Sequence, residues 1–594
     1  MISCSTITNI KCTLARKAGQ MSKLSIEQKT IRELLTDKRS NFLIPDYQRP
    51  YAWTEDECDT LWDDLFAFCF PDCDYTKFDR DSEYFLGPIV TYQNKQGKLE
   101  IIDGQQRLTT ILLLLRAFYD KFELMLDEQS KSLRHNISMC VWKFDEFDRP
   151  DLQQLKIDSE VASDDDKQTF LDILRTGKAE GSKSNYAKNF CYFQQRLEAL
   201  LQHYPTFIVY FATRILNNVI LLPIEAESQD TALRIFSTLN DRGLPLSDAD
   251  IFKSKLYGFY SAHGHKEDFI RRWKALEILT KEVFPNARSG PMVELFTQYM
   301  YYKRAKNGII GTSTPALRMF FEGGNNYQML CSDEIMPDLE ALAHFWERLM
   351  LQDGLPEKLQ KQLFVLKYAP NSMWTYLTSV YFFACRDASN QIEDVKLEIF
   401  FDKITAFIFA YTLLRTTVSA LRAPIYPEMN ALVKTKEITF AKNKFNRTQL
   451  ENVFANFTFS NSRPITRSLL TWWAMRNPQQ QPLDSEIHFD IEHIYAARRK
   501  EVNPLKKKSN FESLGNKSIL ERRINIRASD YRFEDKVKIY LGTDGEHKTK
   551  VAELLFLASQ SDPHFTEEDI EHRTQTIVSG FMDYLAENQL LSED

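Results

Sequence analysis

Apolar residues recur at helical spacing from residue 265 to about residue 440, and this stretch separates two regions that carry motifs. Leu339, Leu342, Phe345 and Leu349 illustrate the 3.6-residue period. Glycine accounts for only 19 of 594 residues, which also favours helices. Because a chain of this length is too long for one hydrophobic core, the pattern predicts a helix-rich α+β protein with several domains.

Four segments are expected along the chain. Residues 1–24 are interpreted as a flexible tail or a start-site artefact, although their basic residues and lack of acids also resemble a targeting peptide. Three domains are predicted after this tail, at residues 25–262, 263–439 and 440–594, and the middle one is expected to be almost wholly helical. Within the first domain, residues 208–223 predict one or two strands.

The overall charge is −7, so any surface that binds nucleic acid has to be local. Residues 498–538 contain 13 Lys or Arg against 6 Asp or Glu, which is typical of a phosphate-binding site; a solvated loop is the alternative. The nine cysteines form no C-x-x-C pair, so we expect reduced thiols and no zinc site. No apolar run is long enough to span a membrane, and a cytoplasmic protein is expected.

Two β-rich stretches, residues 84–92 and 99–102, predict a hairpin that leads into an apolar helix over residues 108–126. The motif Asp103-Gly104-Gln105-Gln106-Arg107 joins the hairpin to that helix. A glycine turn at a helix N-terminus presents backbone N–H groups to phosphate, and Arg107 can add a forked contact. Asp103 would then hold a metal or a water. The alternative is a tight turn with a buried salt bridge.

In the last domain, Ile487, Phe489 and Ile491 alternate with polar residues, as in a half-buried strand that ends in Glu492-His493. A second short strand is predicted over residues 514–520. Asn525 follows it in a stretch that leads from a loop into a helix and carries Arg527 and Phe533-x-x-Lys536.

This series resembles the ββα-metal, or HNH, nucleases, in which an acid–His pair ends one strand, an Asn lies near the next and a further His or Asn lies on the helix. The resemblance implies His493 as the general base and Asn516 as the residue that orients its ring. It implies Glu492 and Asn525 as ligands of one Mg²⁺ or Mn²⁺ ion. Relatives usually carry Pro three residues after the His, where this chain has Ala496.

The strand geometry sets a condition on this assignment. Because neighbours on an ideal strand face opposite sides, Glu492 and His493 can share one site only if the strand ends or twists there. His488 and Asp490 on the same strand are expected to face solvent or to support the site. An ordinary strand end on a basic surface is the alternative interpretation.

Further motifs occur in order along the first domain: Tyr47-Gln48-Arg49-Pro50-Tyr51-x-Trp53, Phe85-Leu86-Gly87, Asp103 to Thr110, Phe236-x-x-Leu239-Asn240-x-Arg242-Gly243 and Asp250-x-x-Lys253. The set resembles the N-terminal domain of GmrSD-type restriction proteins, a ParB/sulfiredoxin-like fold. BrxU- and SspE-like phage-defence proteins carry this domain fused to an HNH domain. The resemblance implies that GTP or ATP is bound by Asp103, Gly104, Gln105, Gln106, Arg107 and Thr109. It also implies that the Tyr47–Trp53 segment lies beside the same cleft.

The sequence therefore predicts a modification-dependent (type IV) restriction endonuclease that couples nucleotide binding to cleavage of modified double-stranded DNA. The expected contacts with DNA are Gln48, Arg49, Arg527 and Lys536. Two alternatives stay open: a ParB-like, NTP-dependent DNA-binding or regulatory protein whose HNH domain does not cut, and an NTPase-driven toxin that acts on RNA. A homodimer would suit double-strand cleavage.

Overall fold

The computed structural model describes residues 25–147, 149–161, 166–179, 181–229, 231–232, 235, 247–323, 327–415, 418–496, 504–561 and 564–592. The predicted tail, the motif at residues 236–243 and the start of the basic block at residues 498–503 lie outside these ranges. The chain divides after Lys274 into two compact units.

The first unit is built on a mixed β-sheet. Its strands are β1 (Ser25–Ile26), β2 (Lys29–Thr30), β3 (Phe42–Ile44), β4 (Tyr84–Gln93), β5 (Leu99–Asp103), β6 (Trp142–Phe144), β7 (Pro150–Leu155), β8 (Ile157–Ser159) and β9 (Val219–Ala226). The sheet order is β1-β9-β4-β5-β3-β8, with β2 also on β9, while β6 and β7 form a separate pair. Strands β4 and β5 pair antiparallel, so the predicted hairpin is confirmed.

Helices cover this sheet and continue beyond it. They are α1 (Ile31–Thr36), α2 (Glu55–Cys69), α3 (Gln105–Glu123), α4 (Glu128–Val141), α5 (Lys167–Thr176), α6 (Asn185–His203), α7 (Phe207–Asn218), α8 (Asp248–Ala262) and α9 (Lys266–Val283). Helix α3 starts directly after β5, and most of its side chains are buried, so it is the central helix of the first core. The strand prediction for residues 208–223 is wrong up to Asn218, because α7 occupies that part and β9 begins only at Val219.

The second unit is mostly helical. Its helices are α10 (Pro291–Lys306), α11 (Leu317–Glu322), α12 (Ile335–Leu351), α13 (Glu357–Lys367), α14 (Met373–Cys385), α15 (Asp394–Leu414), α16 (Arg422–Thr435), α17 (Arg447–Asn456), α18 (Pro464–Arg476), α19 (Arg522–Ala528), α20 (Phe533–Leu541), α21 (Ala552–Ala558) and α22 (Glu567–Glu587). The prediction of a helix-rich α+β protein is thereby confirmed. Among the described residues, no helix is both long enough and apolar enough to cross a membrane.

The two strands of the second unit form an antiparallel hairpin. Strand β10 (Phe489–His493) pairs with β11 (Lys517–Glu521), and His493 lies opposite Lys517. Helix α19 follows β11 without a loop and contacts both strands. The alternation of apolar residues around Phe489 and Ile491 predicted β10 correctly, and both side chains are buried. This hairpin carries the predicted acid–His pair at one end.

Candidate functional site

His493 ends β10 in a half-buried pocket. Its ring stacks on Phe511, with centroids 4.5 Å apart and planes within 6°. Among the residues that the structure describes, its Nε2 atom is enclosed without a hydrogen-bond partner, and Oε1 of Glu512 lies 3.6 Å away. Burial is the main reason why the pKa of His493 falls from 6.5 to about 4, and Lys517 and Lys536 lower it further. The imidazole is therefore neutral at neutral pH, as a proton acceptor has to be.

Glu492 points into the interior and is fully paired. Its Oε1 atom accepts hydrogen bonds from Nζ of Lys536 at 2.9 Å and from the hydroxyl of Tyr540 at 2.6 Å. Glu492 is 3% exposed and Lys536 is 1% exposed, so neither reaches solvent. Burial raises the pKa of Glu492, and the attraction of Lys536 opposes that rise. The structure thus places the predicted metal ligand and the predicted DNA-binding lysine in one buried ion pair.

Lys536 also joins the two neighbours at the strand end. Its Nζ atom donates to the backbone carbonyl of His493 as well as to the Glu492 carboxylate. The side chains of Glu492 and His493 nevertheless have different surroundings, one with Tyr540 and the other with Phe511, as the alternation of a strand requires. Nζ of Lys536 therefore contacts both residues, Glu492 through its carboxylate and His493 through its backbone carbonyl.

Asn516 holds the backbone on both sides of the imidazole. Its Oδ1 atom accepts from the backbone N–H of Tyr495 at 2.8 Å, and its Nδ2 atom donates to the carbonyl of Phe511 at 3.0 Å. The residue is completely buried. Asn516 thereby fixes the segment that follows His493, and it also fixes Phe511, whose ring stacks on the imidazole. It therefore positions the imidazole through the backbone.

Two further predicted residues lie on α19. Asn525 is half-buried, and among the described residues no hydrogen bond joins its side chain to Glu492 or His493. Arg527 pairs with Asp544 at 2.6 Å. His488, which the sequence placed on the strand, lies just before β10; it is exposed, and its Nε2 atom lies 3.3 Å from Oδ1 of Asp490. Among the described residues, no three His, Cys, Asp or Glu side chains are grouped closely enough to hold a metal ion.

Sequence reasoning missed the pair formed by Glu512 and Lys517. Nζ of Lys517 is buried and donates to Oε2 of Glu512 at 2.6 Å and to Oδ1 of Asn461 at 2.8 Å. Burial lowers the pKa of Lys517, and Glu512 opposes this. Glu512 thus lies between a buried ammonium and the His493 ring. If both strands are predicted, pairing them in this register sets Lys517 opposite His493. That pairing is the only signal in the sequence that could have indicated the contact between Glu512 and Lys517.

A cluster of polar side chains centred on Arg573 of α22 supports the β10–β11 hairpin. Nη1 of Arg573 donates to the carbonyls of Gly515 at 2.6 Å and Lys517 at 2.8 Å. The other side of its guanidinium pairs with Glu553 at 2.7 Å, and Glu553 also accepts from Nε1 of Trp473 at 2.7 Å. Helices α18, α21 and α22 are therefore tied to the start of β11.

In the first unit, the predicted loop joins β5 to α3. The guanidinium of Arg107 lies 3.3 Å from Oδ2 of Asp103 and donates to the carbonyl of Leu86. Burial raises the pKa of Asp103 and lowers that of Arg107, while their mutual attraction opposes both shifts. Gly87 makes room for this pair, because a Cβ atom there would lie 1.6 Å from Nη1 of Arg107.

The Tyr47–Trp53 segment lies against this loop. Nε2 of Gln105 donates to the carbonyl of Arg49 at 2.7 Å, and the Gln106 amide bonds to the backbone of Pro50, Ala52 and Trp53. Oε1 of Gln105 is buried without a partner. The two glutamines therefore clamp the proline-containing segment over the N-terminus of α3.

The remaining predicted residues of the first unit have structural contacts. Gln48 is buried and donates to the carbonyls of Ile101 and Ile102 at 3.2 and 3.1 Å. Thr109 is 1% exposed inside α3. Gly104 has a φ of +93°, and a Cβ atom there would meet the carbonyl of Pro88 at 3.1 Å, so β4 approaches the loop at this point.

Two family models match the chain. The first is described as the N-terminal domain of the GmrSD restriction endonuclease and matches residues 31–257. The second is described as the C-terminal domain of GmrSD restriction endonucleases and matches residues 444–579, so the two matches together cover more than half of the chain. The chain belongs to the GmrSD-type restriction endonucleases. No curated protein matches it.

Membership of the GmrSD family supports nuclease activity on DNA and a role in phage defence. The C-terminal match contains the β10–β11 hairpin, and the N-terminal match contains the Asp103–Arg107 loop. Each of the two regions in which the sequence motifs lie is therefore matched by one of the two family models.

Proposed function

We propose that the chain is a modification-dependent DNA endonuclease in which the β10–β11 hairpin and α19 act as an HNH site. The observation that carries the proposal is the state of His493, which is neutral and half-buried and whose Nε2 atom has no hydrogen-bond partner within the described ranges. In this role, His493 takes the proton of the attacking water. Asn516 and Phe511 hold the imidazole in place, one through the backbone and one through stacking.

We also propose one Mg²⁺ or Mn²⁺ ion at this site. The donors near the imidazole fit an ion only in part, because the Glu492 carboxylate is bound to Lys536 and Tyr540. Glu492 would become a ligand, together with Asn525, after exchanging the ammonium of Lys536 for the cation. A bound ion would stabilise the charge that develops on the phosphate.

The N-terminal loop is proposed to bind GTP or ATP. The supporting features are the N-terminus of a 19-residue helix and the Arg107 guanidinium. Arg107 would exchange Asp103 for a phosphate oxygen, with which a guanidinium can form a forked contact. The ParB/sulfiredoxin-like fold of this domain belongs to the same proposal.

Two histidines, one at the end of β10 and one just before its start, provide a matched test. His493→Ala should abolish metal-dependent nicking of plasmid DNA, and the exposed His488→Ala should keep it. Both variants should retain the wild-type melting temperature within a few degrees and should still bind nucleotide. Equal cleavage by His493→Ala and the parent protein would exclude His493 as the base.

The choice of substrate needs a second experiment. Cleavage of matched modified and unmodified phage DNA is measured with and without GTP or ATP. A modification-dependent enzyme cuts the modified DNA at least tenfold faster, and the nucleotide changes that rate. Equal rates on both DNAs under all conditions would reject modification dependence while leaving the nuclease assignment intact.

One observation favours a second function. The buried pairing of Glu492 with Lys536 leaves the HNH-like hairpin without its main predicted carboxylate ligand, which suits a domain that grips DNA and does not cut it. Such a protein would shift DNA in a gel with or without chelator and would never nick plasmid. An enzyme would nick in Mn²⁺ or Mg²⁺ and stop in chelator.

A further inference from the structure

The two nitrogens of the His493 imidazole have different surroundings. Nε2 is enclosed and has no hydrogen-bond partner among the described residues, whereas 23% of the side chain as a whole is exposed. The exposed part of the ring therefore lies away from Nε2. Since a general base needs a lone pair that a water molecule can reach, Nδ1 is the nitrogen that can take a proton from an attacking water.

Glu512 presents a hydrogen-bond acceptor to the enclosed nitrogen. Its Oε1 atom lies 3.6 Å from Nε2 of His493, and its side chain is 33% exposed, so it has room to turn closer. Catalytic hydrogen bonds are often this long before the substrate binds, and they tighten in the complex. The Phe511 ring lies within 6° of parallel to the imidazole and already sets the plane of that ring. A small movement of the Glu512 side chain therefore completes the contact.

Lys517 determines which oxygen of Glu512 is available to the imidazole. Its Nζ atom donates to Oε2 of Glu512 at 2.6 Å, to Oδ1 of Asn461 at 2.8 Å and to the carbonyl of Phe459 at 2.5 Å. An ammonium group has three N–H donors, so these contacts use all of them. Lys517 therefore has no donor left for the imidazole, and Glu512 keeps Oε1 as an acceptor for Nε2–H.

We propose that Glu512 is a positioning residue for the catalytic imidazole: it accepts a hydrogen bond from Nε2–H and thereby leaves the lone pair on Nδ1. This inference rests on the proposed function, because it names the nitrogen that acts as the base in the proposed nuclease. A carboxylate that fixes the tautomer of a catalytic histidine also stabilises the imidazolium that forms when the ring takes a proton.

The proton balance of the step is as follows from this assignment. The attacking water gives one proton to Nδ1 while its oxygen bonds to phosphorus, and Nε2 keeps its own proton. The leaving oxygen takes a proton from solvent as its bond to phosphorus breaks. Nδ1 then releases its proton to solvent, so Glu512 takes up no proton at any point.

Glu512→Gln gives a sharp test, because an amide has one acceptor end and one donor end. The ammonium of Lys517 can only donate, so the Gln carbonyl stays with Lys517 and the Gln NH₂ group faces Nε2 of His493. That NH₂ group donates to Nε2, which moves the ring proton to Nδ1 and blocks the base. Glu512→Leu has neither a donor nor an acceptor, so it leaves Nδ1 available but removes the partner of Nε2.

Plasmid nicking and thermal unfolding should therefore rank the two variants in opposite orders. We expect kcat to fall about 100-fold in Glu512→Gln but only about tenfold in Glu512→Leu, with KM unchanged within about twofold. Glu512→Leu should have the lower melting temperature, because it takes an acceptor away from buried Lys517. If Glu512 had a merely structural role, the isosteric Gln variant would be the milder one in both measurements, and that result would overturn the proposal.

A second readout follows the ring proton without DNA or metal. The protein is labelled with nitrogen-15 histidine, and the imidazole nitrogens are recorded by NMR at neutral pH in chelator. The signals of His493 are those missing from the spectrum of His493→Gln. We expect the proton on Nε2 in the wild-type protein and on Nδ1 in Glu512→Gln. The same tautomer in both proteins would overturn the proposal, whether or not Glu512→Leu folds.

Asn461→Ala is the matched control. Asn461 is exposed and accepts from the same ammonium group as Glu512, but no hydrogen bond or ion pair joins it to His493 within the described ranges. The variant should keep the wild-type tautomer and a kcat within about twofold of the wild-type value. A tautomer that changes in Asn461→Ala would assign the effect to Lys517 and contradict the proposal.

The two readouts also separate this inference from the proposed nuclease. Nicking by a wild-type protein whose tautomer does not respond to Glu512→Gln rejects the positioning role alone. The expected tautomers in a protein that never nicks DNA support the contact between Glu512 and His493 and reject only the nuclease.

Discussion

At the scale of single residues, the buried pair of Glu492 and Lys536 has the largest consequence for stability. Lys536→Met should lower the free energy of unfolding by about 3–5 kcal/mol, because it leaves a carboxylate buried without its counter-charge. Denaturant unfolding measures this loss. Lys538→Met, two residues further on at an exposed position, is the control and should change stability by less than about 0.5 kcal/mol.

A double variant separates the pair from the packing of its side chains. Glu492→Gln combined with Lys536→Met removes both charges, so it should be less destabilised than the sum of the two single variants. Strict additivity would mean that the two charges do not interact in the folded protein, contrary to their 2.9 Å contact.

The low pKa of His493 gives a pH dependence of stability with a defined sign. The unfolded chain binds a proton near pH 6.5, whereas the folded chain binds it only near pH 4. The unfolded state is therefore favoured as the pH falls through this window, and His493 lowers stability by at most about 3 kcal/mol at its acid end.

Comparison with His493→Gln isolates this contribution. The wild-type protein should lose more stability than the variant between pH 6.5 and 4, and the two curves should run parallel above pH 7. The measurement is denaturant unfolding in chelator at a series of pH values. Parallel curves over the whole range would show that the imidazole titrates alike in the folded and unfolded chain.

Residue types at the site were predictable from the sequence, but their partners were not. The Glu492–His493 pair at a strand end could be read from the alternation of Ile487, Phe489 and Ile491. The pairing of Glu492 with Lys536 and Tyr540 depends on how α20 packs on β10, and no local pattern encodes that distance. Sequence reasoning also could not tell that the Asn516 side chain bonds to the backbone.

At the scale of elements, the turn from β5 into α3 depends on the absence of a side chain at Gly104. Gly104→Ala should destabilise the protein by about 2–4 kcal/mol, because it combines a positive φ with a contact of 3.1 Å to the Pro88 carbonyl. Gly97→Ala shares the positive φ but meets nothing closer than 4.0 Å, so it should cost only about 1 kcal/mol. If thermal unfolding shows that the two variants are equally destabilised, the contact with β4 does not contribute to the effect of Gly104→Ala.

Helix α7 shows why one element was predicted wrongly. Its residues include many β-branched and aromatic side chains, which favour strands. The buried side chains Phe207, Phe211 and Ile215 nevertheless recur every four residues, and the burial of that face stabilises a helix. By contrast, β4 and β5 were predicted correctly because a turn-like stretch separates two short β-rich runs, and β10 was predicted from the alternation of its apolar residues.

At the scale of the whole molecule, the chain divides into two compact units. Gly104→Ala in the first unit and Lys536→Met in the second should therefore lower stability additively, within about 0.5 kcal/mol. The double variant is compared with both single variants by calorimetry. A deviation well beyond that limit would mean that the units stabilise each other.

Helix α22 lies some fifty residues after β11 in the chain, yet its Arg573 holds the carbonyls at the start of that strand. During synthesis, the ribosome releases the first unit and then both strands of the hairpin before α22 exists. The imidazole of His493 thus reaches its final packing only after α22 has been synthesised. A nascent chain can therefore complete the turn from β5 into α3 while the strand end that carries His493 still lacks its support from α22.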